Sequence, residues 1–220
     1  MTEPQKIESF RDNFFKSVLL SLDTNRVLTD KSKLFIHESN TIGSKKKLSG
    51  LIQPISVPEI QTIIKLANQY QIGIYPISLG KNWGYGSKLP PTEDSVVLDL
   101  SKMSKIIDYN PELAYVIIEP GVSQLQLYDF LKSQDDNHVM DPSGAGPSAS
   151  VVGNILERGF GIGRYCDRFT SVAGMEVILP NGEVLKTGFW GFENSKLTGT
   201  HRWGVGPYLD GIFTQSSFGI

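Results

Sequence analysis

Apolar positions Ile7, Phe10, Phe14 and Val18 recur at helical spacing, so residues 6–21 read as an amphipathic helix. Residues 22–47 are polar and mixed, ending in Ser44-Lys45-Lys46-Lys47, and read as a connecting segment with a solvated basic loop. From residue 48 the pattern changes. Leu51–Val57 reads as a strand, followed by a helix to about Tyr70 with Ile60, Ile63, Ile64 and Ala67 on one face. Ser56 and Glu59 have the spacing of a capping box, with Pro58 in the first turn. Ile74–Ser78 is the next strand, which makes a strand–helix–strand unit of the kind that builds parallel pairs.

Val96–Leu100, Ile106–Tyr109 and Tyr115–Ile118 read as further strands, with a turn at Asn110-Pro111. Ser123 and Gln126 form a second capping box before a helix to about Ser133, and Ser150–Arg158 reads as a short helix. Gly174–Leu179 and Glu183–Thr187 flank Pro180-Asn181-Gly182, a hairpin signal. Helices and strands are mixed in an order that gives an α+β class with two lobes. The expected division is an N-terminal helix and connecting segment over 1–47, a first lobe over 48–125 and a second over 126–220.

Bulk properties narrow the function. A net charge of −2 offers no electrostatic footprint for nucleic acid. No apolar run approaches the ~20 residues that span a bilayer, and the polar N-terminus has no signal-peptide core. The single cysteine, Cys166, permits no intrachain disulfide, fits a reducing cytoplasmic compartment and reads as a small buried residue. His37, His138 and His201 show no metal-ligand spacing and read as surface or loop histidines, so no metal is expected.

The 22 glycines cluster, and the clusters carry the chemistry. Pro76–Gly86 follows a strand and alternates polar or small residues with Gly80, Gly84 and Gly86. Such a loop can turn its amides toward a diphosphate, although a ligand-free turn fits the same residues. It is neither a helix-opening GxGxxG nor a Walker A loop. Glu119-Pro120-Gly121-Val122 is a tight turn after a strand, and Pro142–Asn154 is a run of small residues leading into a helix.

These segments, with Glu157-Arg158-Gly159, Gly174–Glu183 and Trp203–Gly211, together resemble the FAD-binding (PCMH-type) domain of the p-cresol methylhydroxylase and vanillyl-alcohol oxidase superfamily. The 4-cresol dehydrogenase, vanillyl-alcohol oxidase and eugenol oxidase branch is nearest, and Phe213-Thr214-Gln215-Ser216 points the same way. The resemblance covers roughly residues 48–220. It implies FAD as cofactor and a flavin-dependent oxidoreductase that oxidises para-substituted phenols by hydride transfer to flavin N5. The alternative is a non-catalytic or split-enzyme FAD-binding module that needs a partner chain. The family's cap domain is absent from the sequence, so this chain alone is expected to be inactive or unselective.

Residue by residue, the resemblance puts Pro76, Ser78, Leu79, Gly80, Lys81, Asn82 and Gly84 at the loop that grips the diphosphate. Pro120 and Gly121 fall near the flavin or ribityl chain, Ser148, Val152, Gly153 and Asn154 near the isoalloxazine, and Val177 and Ile178 beside the adenine. Tyr85 matches a tyrosine that helps hold the substrate phenolate, a catalytic role; a packing aromatic beside the cofactor fits it equally. Lys81 stands where other members carry a flavin-linking histidine, so FAD is expected to be non-covalent. Tyr165-Cys166-Asp167-Arg168 stands where the family often has Tyr-Gly-Asp-His, and no catalytic role passes to Arg168. Implied partners are a small phenolic substrate, a chain carrying the cap domain and a second copy in a homodimer.

Overall fold

The computed structural model describes residues 3–81, 88–135, 137–164, 166–204 and 206–220. Its contacts divide the chain into two units, Met1–Lys102 with Pro180–Gly182, and Met103–Leu179 with Glu183–Ile220. Helices and strands are mixed in both, an α+β arrangement.

In the first unit, α1 (Glu3–Val18) buries Phe14, Phe15 and Val18 and ends three residues before the predicted Ser21. The segment read as a connector holds more structure than its composition suggests. Val27–Leu28 forms a short edge strand, β1, and Lys31–Leu34 a single helical turn, α2. Asp30 caps α2 by accepting from the Ser32 N–H at 2.9 Å. A two-residue strand has no periodicity to read; β1 exists because it pairs antiparallel with β2 (Leu48–Ile52), Val27 against Ile52.

Strand β2 lies earlier than the predicted Leu51–Val57. Pro54 cannot donate to a ladder, and residues beyond it turn into α3 (Val57–Tyr70). The predicted capping box at Ser56 does not form, since the Ser56 side chain makes no cap bond. Glu59 instead accepts from the Ile55 N–H at 2.9 Å and from both terminal nitrogens of Arg26 at 2.6 and 3.0 Å. The Arg26 guanidinium takes up the carboxylate that a closed box would aim at the Ser56 N–H.

Helix α3 leads to β3 (Ile74–Ile77), and β4 (Ser95–Asp99) follows. The sheet order is β1-β2-β4-β3, with β4 parallel to both neighbours. β2 and β3 therefore run parallel as expected but do not pair with each other. All five β4 residues are buried, as a central parallel strand requires. Leu34, Leu48, Leu51 and Val97 form the core here, with Leu28 and Ile77 against it. Pro180–Gly182 groups with this unit through α3: Gln61 donates to the Gly182 carbonyl and Asn68 to that of Pro180, each at 2.7 Å.

The second unit begins with the hairpin β5 (Ile106–Asn110) and β6 (Tyr115–Ile118). Helix α4 (Gln124–Ser133) follows, with Ser123 accepting from the Gln126 N–H at 3.1 Å. Only half of the predicted box closes, because the Gln126 amide donates to Ser104 O at 2.6 Å instead. The six-residue helix α5 (Val151–Leu156) comes next, then the hairpin β7 (Glu176–Ile178) with β8 (Val184–Lys186). Val122, Leu127, Leu131 and Val151 form this core, joining the β5–β6 hairpin to α4 and α5.

Candidate functional site

The candidate residues fall in two groups, one in each unit. In the first, β3 runs out at Ile77 into Ser78, Leu79, Gly80 and Lys81. Pro76 sits in register with Leu98 of β4, and the last pair, Ile77 with Asp99, ends the strand. Among the described residues, none of the backbone N–H groups of Ser78, Leu79, Gly80 or Lys81 is hydrogen-bonded. Gly80 has φ +59°, the left-handed region that glycine enters without penalty. Consecutive amides around such a residue form a concave nest for anions. Ser78, Leu79 and Gly80 are half-buried and Lys81 is exposed. Asn82, Gly84 and Tyr85, with Trp83 and Gly86, lie outside the described residues.

The second group is built around α5. Ser150, 6% exposed, donates through Oγ to the Pro120 carbonyl at 2.7 Å and accepts from the Gly153 N–H at 2.9 Å. One hydroxyl thus caps the helix and fixes the Pro120-Gly121 turn against it. The Val151 N–H donates to Val122 O at 3.1 Å, and the Gly121 N–H to Met103 O at 2.7 Å. These bonds bring Pro120, Gly121, Val152, Gly153 and Asn154 together; Ser148 lies exposed on the loop before the helix.

The loop before α5 is held from behind. Buried Gln124 accepts from the Ser143 N–H at 2.7 Å and donates to the Gly146 carbonyl at 2.7 Å. On the other side the loop is open. A Cβ at Gly144 or Gly146 would have no atom within 4 Å. This bare backbone edge leaves room for a flat ligand to approach.

Val177 and Ile178, in the second unit, are each 4% exposed. The Ile178 peptide is already paired: its N–H donates to Ile220 O at 2.7 Å and its carbonyl accepts from the Ile220 N–H at 2.9 Å. Among the described residues, neither has a hydrogen bond to α5 or the Pro120 turn.

Two functional elements had no sequence reading. Gln124 was not singled out, and nothing in its neighbours announces a bond 19 residues away. The second is Asp141, whose carboxylate accepts from the Gly163 N–H at 2.6 Å. A Cβ at Gly161 or Gly163 would overlap that carboxylate, and one at Gly159 would overlap the Asn154 amide. The alternation Gly159-x-Gly161-x-Gly163 was the available signal, a stretch of bare backbone laid against polar side chains.

The Tyr-Cys-Asp-Arg stretch departs from expectation at Cys166, which is exposed rather than buried, with φ 43°. The Gly161 N–H donates to the Cys166 carbonyl, and the Cys166 N–H and thiol both donate to the Gly163 carbonyl. Arg168 is buried, and its Nη1 donates to Asn154 Oδ1 at 2.8 Å. Burial pulls the Arg168 guanidinium below its ordinary value, with the Asp141 charge opposing.

Of the histidines, His138 meets the Tyr109 hydroxyl at 3.1 Å and His201 that of Thr200 at 2.9 Å. Burial, then Lys88, hold His37 below its ordinary value, with Asp99 opposing. Among the described residues, no group of three or more His, Cys, Asp or Glu side chains could hold a metal ion. None of the described helices is long and apolar enough to cross a membrane.

Comparison with known proteins gives the same picture. The family model described as FAD binding domain matches residues 48–188. A 1'-carboxy-chondrochloren decarboxylase of Chondromyces crocatus is 43% identical over 199 residues, covering 90% of this chain and 37% of that protein. The 4-cresol dehydrogenase [hydroxylating] flavoprotein subunit of Pseudomonas putida is 40% identical over 172 residues, 78% of this chain and 33% of that one. Among solved structures, 4-ethylphenol oxidase from Gulosibacter chungangensis matches with TM-score 0.92 and 31% identity, covering 96% of this chain and 41% of that chain. Substrate-bound p-cresol methylhydroxylase matches with TM-score 0.92 and 34% identity, covering 96% and 42%. The chain therefore spans about a third to two fifths of the length of these relatives.

Proposed function

Because this chain belongs to the FAD binding domain family, of the kind found in flavin oxidoreductases related to p-cresol methylhydroxylase, we propose that it holds FAD non-covalently for an enzyme that oxidises para-substituted phenols. The observation that carries the reading is the row of four amides at the end of β3, without a hydrogen bond among the described residues, that includes a left-handed Gly80. A diphosphate is the part of FAD that such a nest suits.

The assignments follow from there. Ser78, Leu79, Gly80 and Lys81, with Pro76 behind them and Asn82 and Gly84 beyond, hold the diphosphate. Pro120 and Gly121 border the ribityl chain, while Ser148, Val152, Gly153 and Asn154 border the isoalloxazine. Val177 and Ile178 line the adenine through their side chains, since the Ile178 peptide is committed to Ile220. Tyr85 helps hold the phenolate. Lys81 offers an exposed amine and no imidazole, so this loop has no histidine to link to flavin. When bound, the flavin would supply the acceptor for a hydride, that is, for two electrons and a proton.

Substrate, electron acceptor and partners belong to the whole enzyme. The names of the cresol and ethylphenol relatives favour a para-alkylphenol. Two other readings have an observation each. The decarboxylase relative favours a carboxylated substrate. The term flavoprotein subunit favours a chain that works beside a partner polypeptide. Acid precipitation of the FAD-loaded chain tests the non-covalent reading: the yellow colour should pass into the supernatant, and a yellow pellet would overturn it.

A further inference from the structure

Arg168 is 5% exposed and begins a 3-10 turn capped by Asp167, whose carboxylate accepts from the Phe169 N–H at 3.1 Å. Its Nη1 bond to Asn154 Oδ1 at 2.8 Å has two consequences. A guanidinium has donors only, so it fixes which end of the Asn154 amide is oxygen. The amide's nitrogen then faces the other way, packed where Gly159 leaves no room for a Cβ. Arginine also keeps its proton at any accessible pH, so a permanent positive charge stands against α5. Asp141 lies near enough for its charge to act on Arg168, while its own carboxylate is engaged by the Gly163 N–H.

We propose that Arg168 is a positioning residue for the flavin: it locks the Asn154 amide, oxygen toward the guanidinium and NH2 against Gly159, and lends a buried positive charge that favours the reduced cofactor. The inference rests on the reading that Asn154 borders the isoalloxazine. Reduction adds two electrons and one proton to FAD and leaves an anionic reduced flavin, and a nearby cation stabilises that product more than the neutral oxidised form. The family's usual histidine at this position can lose its charge near neutral pH; Arg168 cannot.

The test is the reduction potential of the FAD-loaded full chain, equilibrated anaerobically with a dye couple of known potential. Arg168→Met should shift the potential to more negative values and weaken FAD binding severalfold. Arg168→Lys should restore most of the potential, because charge is retained, but not the affinity. A wild-type potential in a folded Arg168→Met protein overturns the proposal. Should that variant not fold by circular dichroism, Asn154→Asp replaces it: a carboxylate against Arg168 cancels the charge, so the potential should again fall, and an unchanged potential overturns the proposal. A wild-type chain that retains no flavin overturns this inference together with the FAD reading beneath it. That failure is recognisable because no variant then yields a potential.

Discussion

Gln124 and Ser143 exchange hydrogen bonds: the Ser143 N–H donates to Gln124 Oε1 at 2.7 Å, and Gln124 Nε2 donates to Ser143 O at 3.4 Å and to Gly146 O at 2.7 Å. One buried side chain on α4 thus shapes the glycine loop ahead of α5. Gln124→Leu keeps the volume and leaves a buried N–H and a carbonyl without partners, a loss of about 1–3 kcal/mol. The urea unfolding midpoint should fall accordingly, and FAD affinity should fall with it. An unchanged midpoint would show that the loop holds its shape without Gln124.

Much of this architecture could be read along the chain. The period of Ile60, Ile63, Ile64 and Ala67 gave α3, and Pro180-Asn181-Gly182 gave the β7–β8 hairpin, because both signals are local. The insertion of β4 between β2 and β3 was not legible, since adjacency in a sheet is a long-range choice. Edge strand β1 is two residues long and exists only through its partner. At Ser56 the local rule failed because Arg26, distant in sequence, claims Glu59. The small residues of the candidate site were legible because bare backbone leaves a glycine signature. The polar side chains that support it act through space: Gln124 leaves no signature, and Asp141 leaves only the glycines opposite it, Gly161 and Gly163.

Gly161 should be intolerant of any side chain. A Cβ there would overlap the Asp141 carboxylate, so Gly161→Ala forces a shift costing about 1–3 kcal/mol. Adding Asp141→Ala removes the obstacle. The double variant should therefore be less destabilised than the sum of the two singles, the non-additivity expected of residues in contact. Additive midpoints from thermal unfolding would contradict the contact.

Asp210 is 1% exposed, and burial pushes its carboxyl above the usual carboxylate range, although Thr187, the Gly174 N–H and Arg202 oppose this. A raised value in the fold means that the protonated form is favoured there. Its contribution is complete below the unfolded value of about 3.9 and is lost as pH rises through the folded value. Asp210→Asn keeps an acceptor for the Gly174 N–H, which donates at 3.2 Å, without the charge. The variant's stability relative to the unmodified protein should rise with pH through that window, as read from urea midpoints at a series of pH values. A constant or falling difference would contradict the assignment.

The central claim is that this chain holds FAD, with the diphosphate on the amides that end β3. The most direct measurement is the visible absorbance of the chain after incubation with excess FAD and gel filtration. The account predicts flavin bands co-eluting with protein in stoichiometric amount, and their loss in Gly80→Val, where a β-branched residue cannot hold the left-handed turn. A colourless protein peak, or full retention of flavin by Gly80→Val, would contradict it.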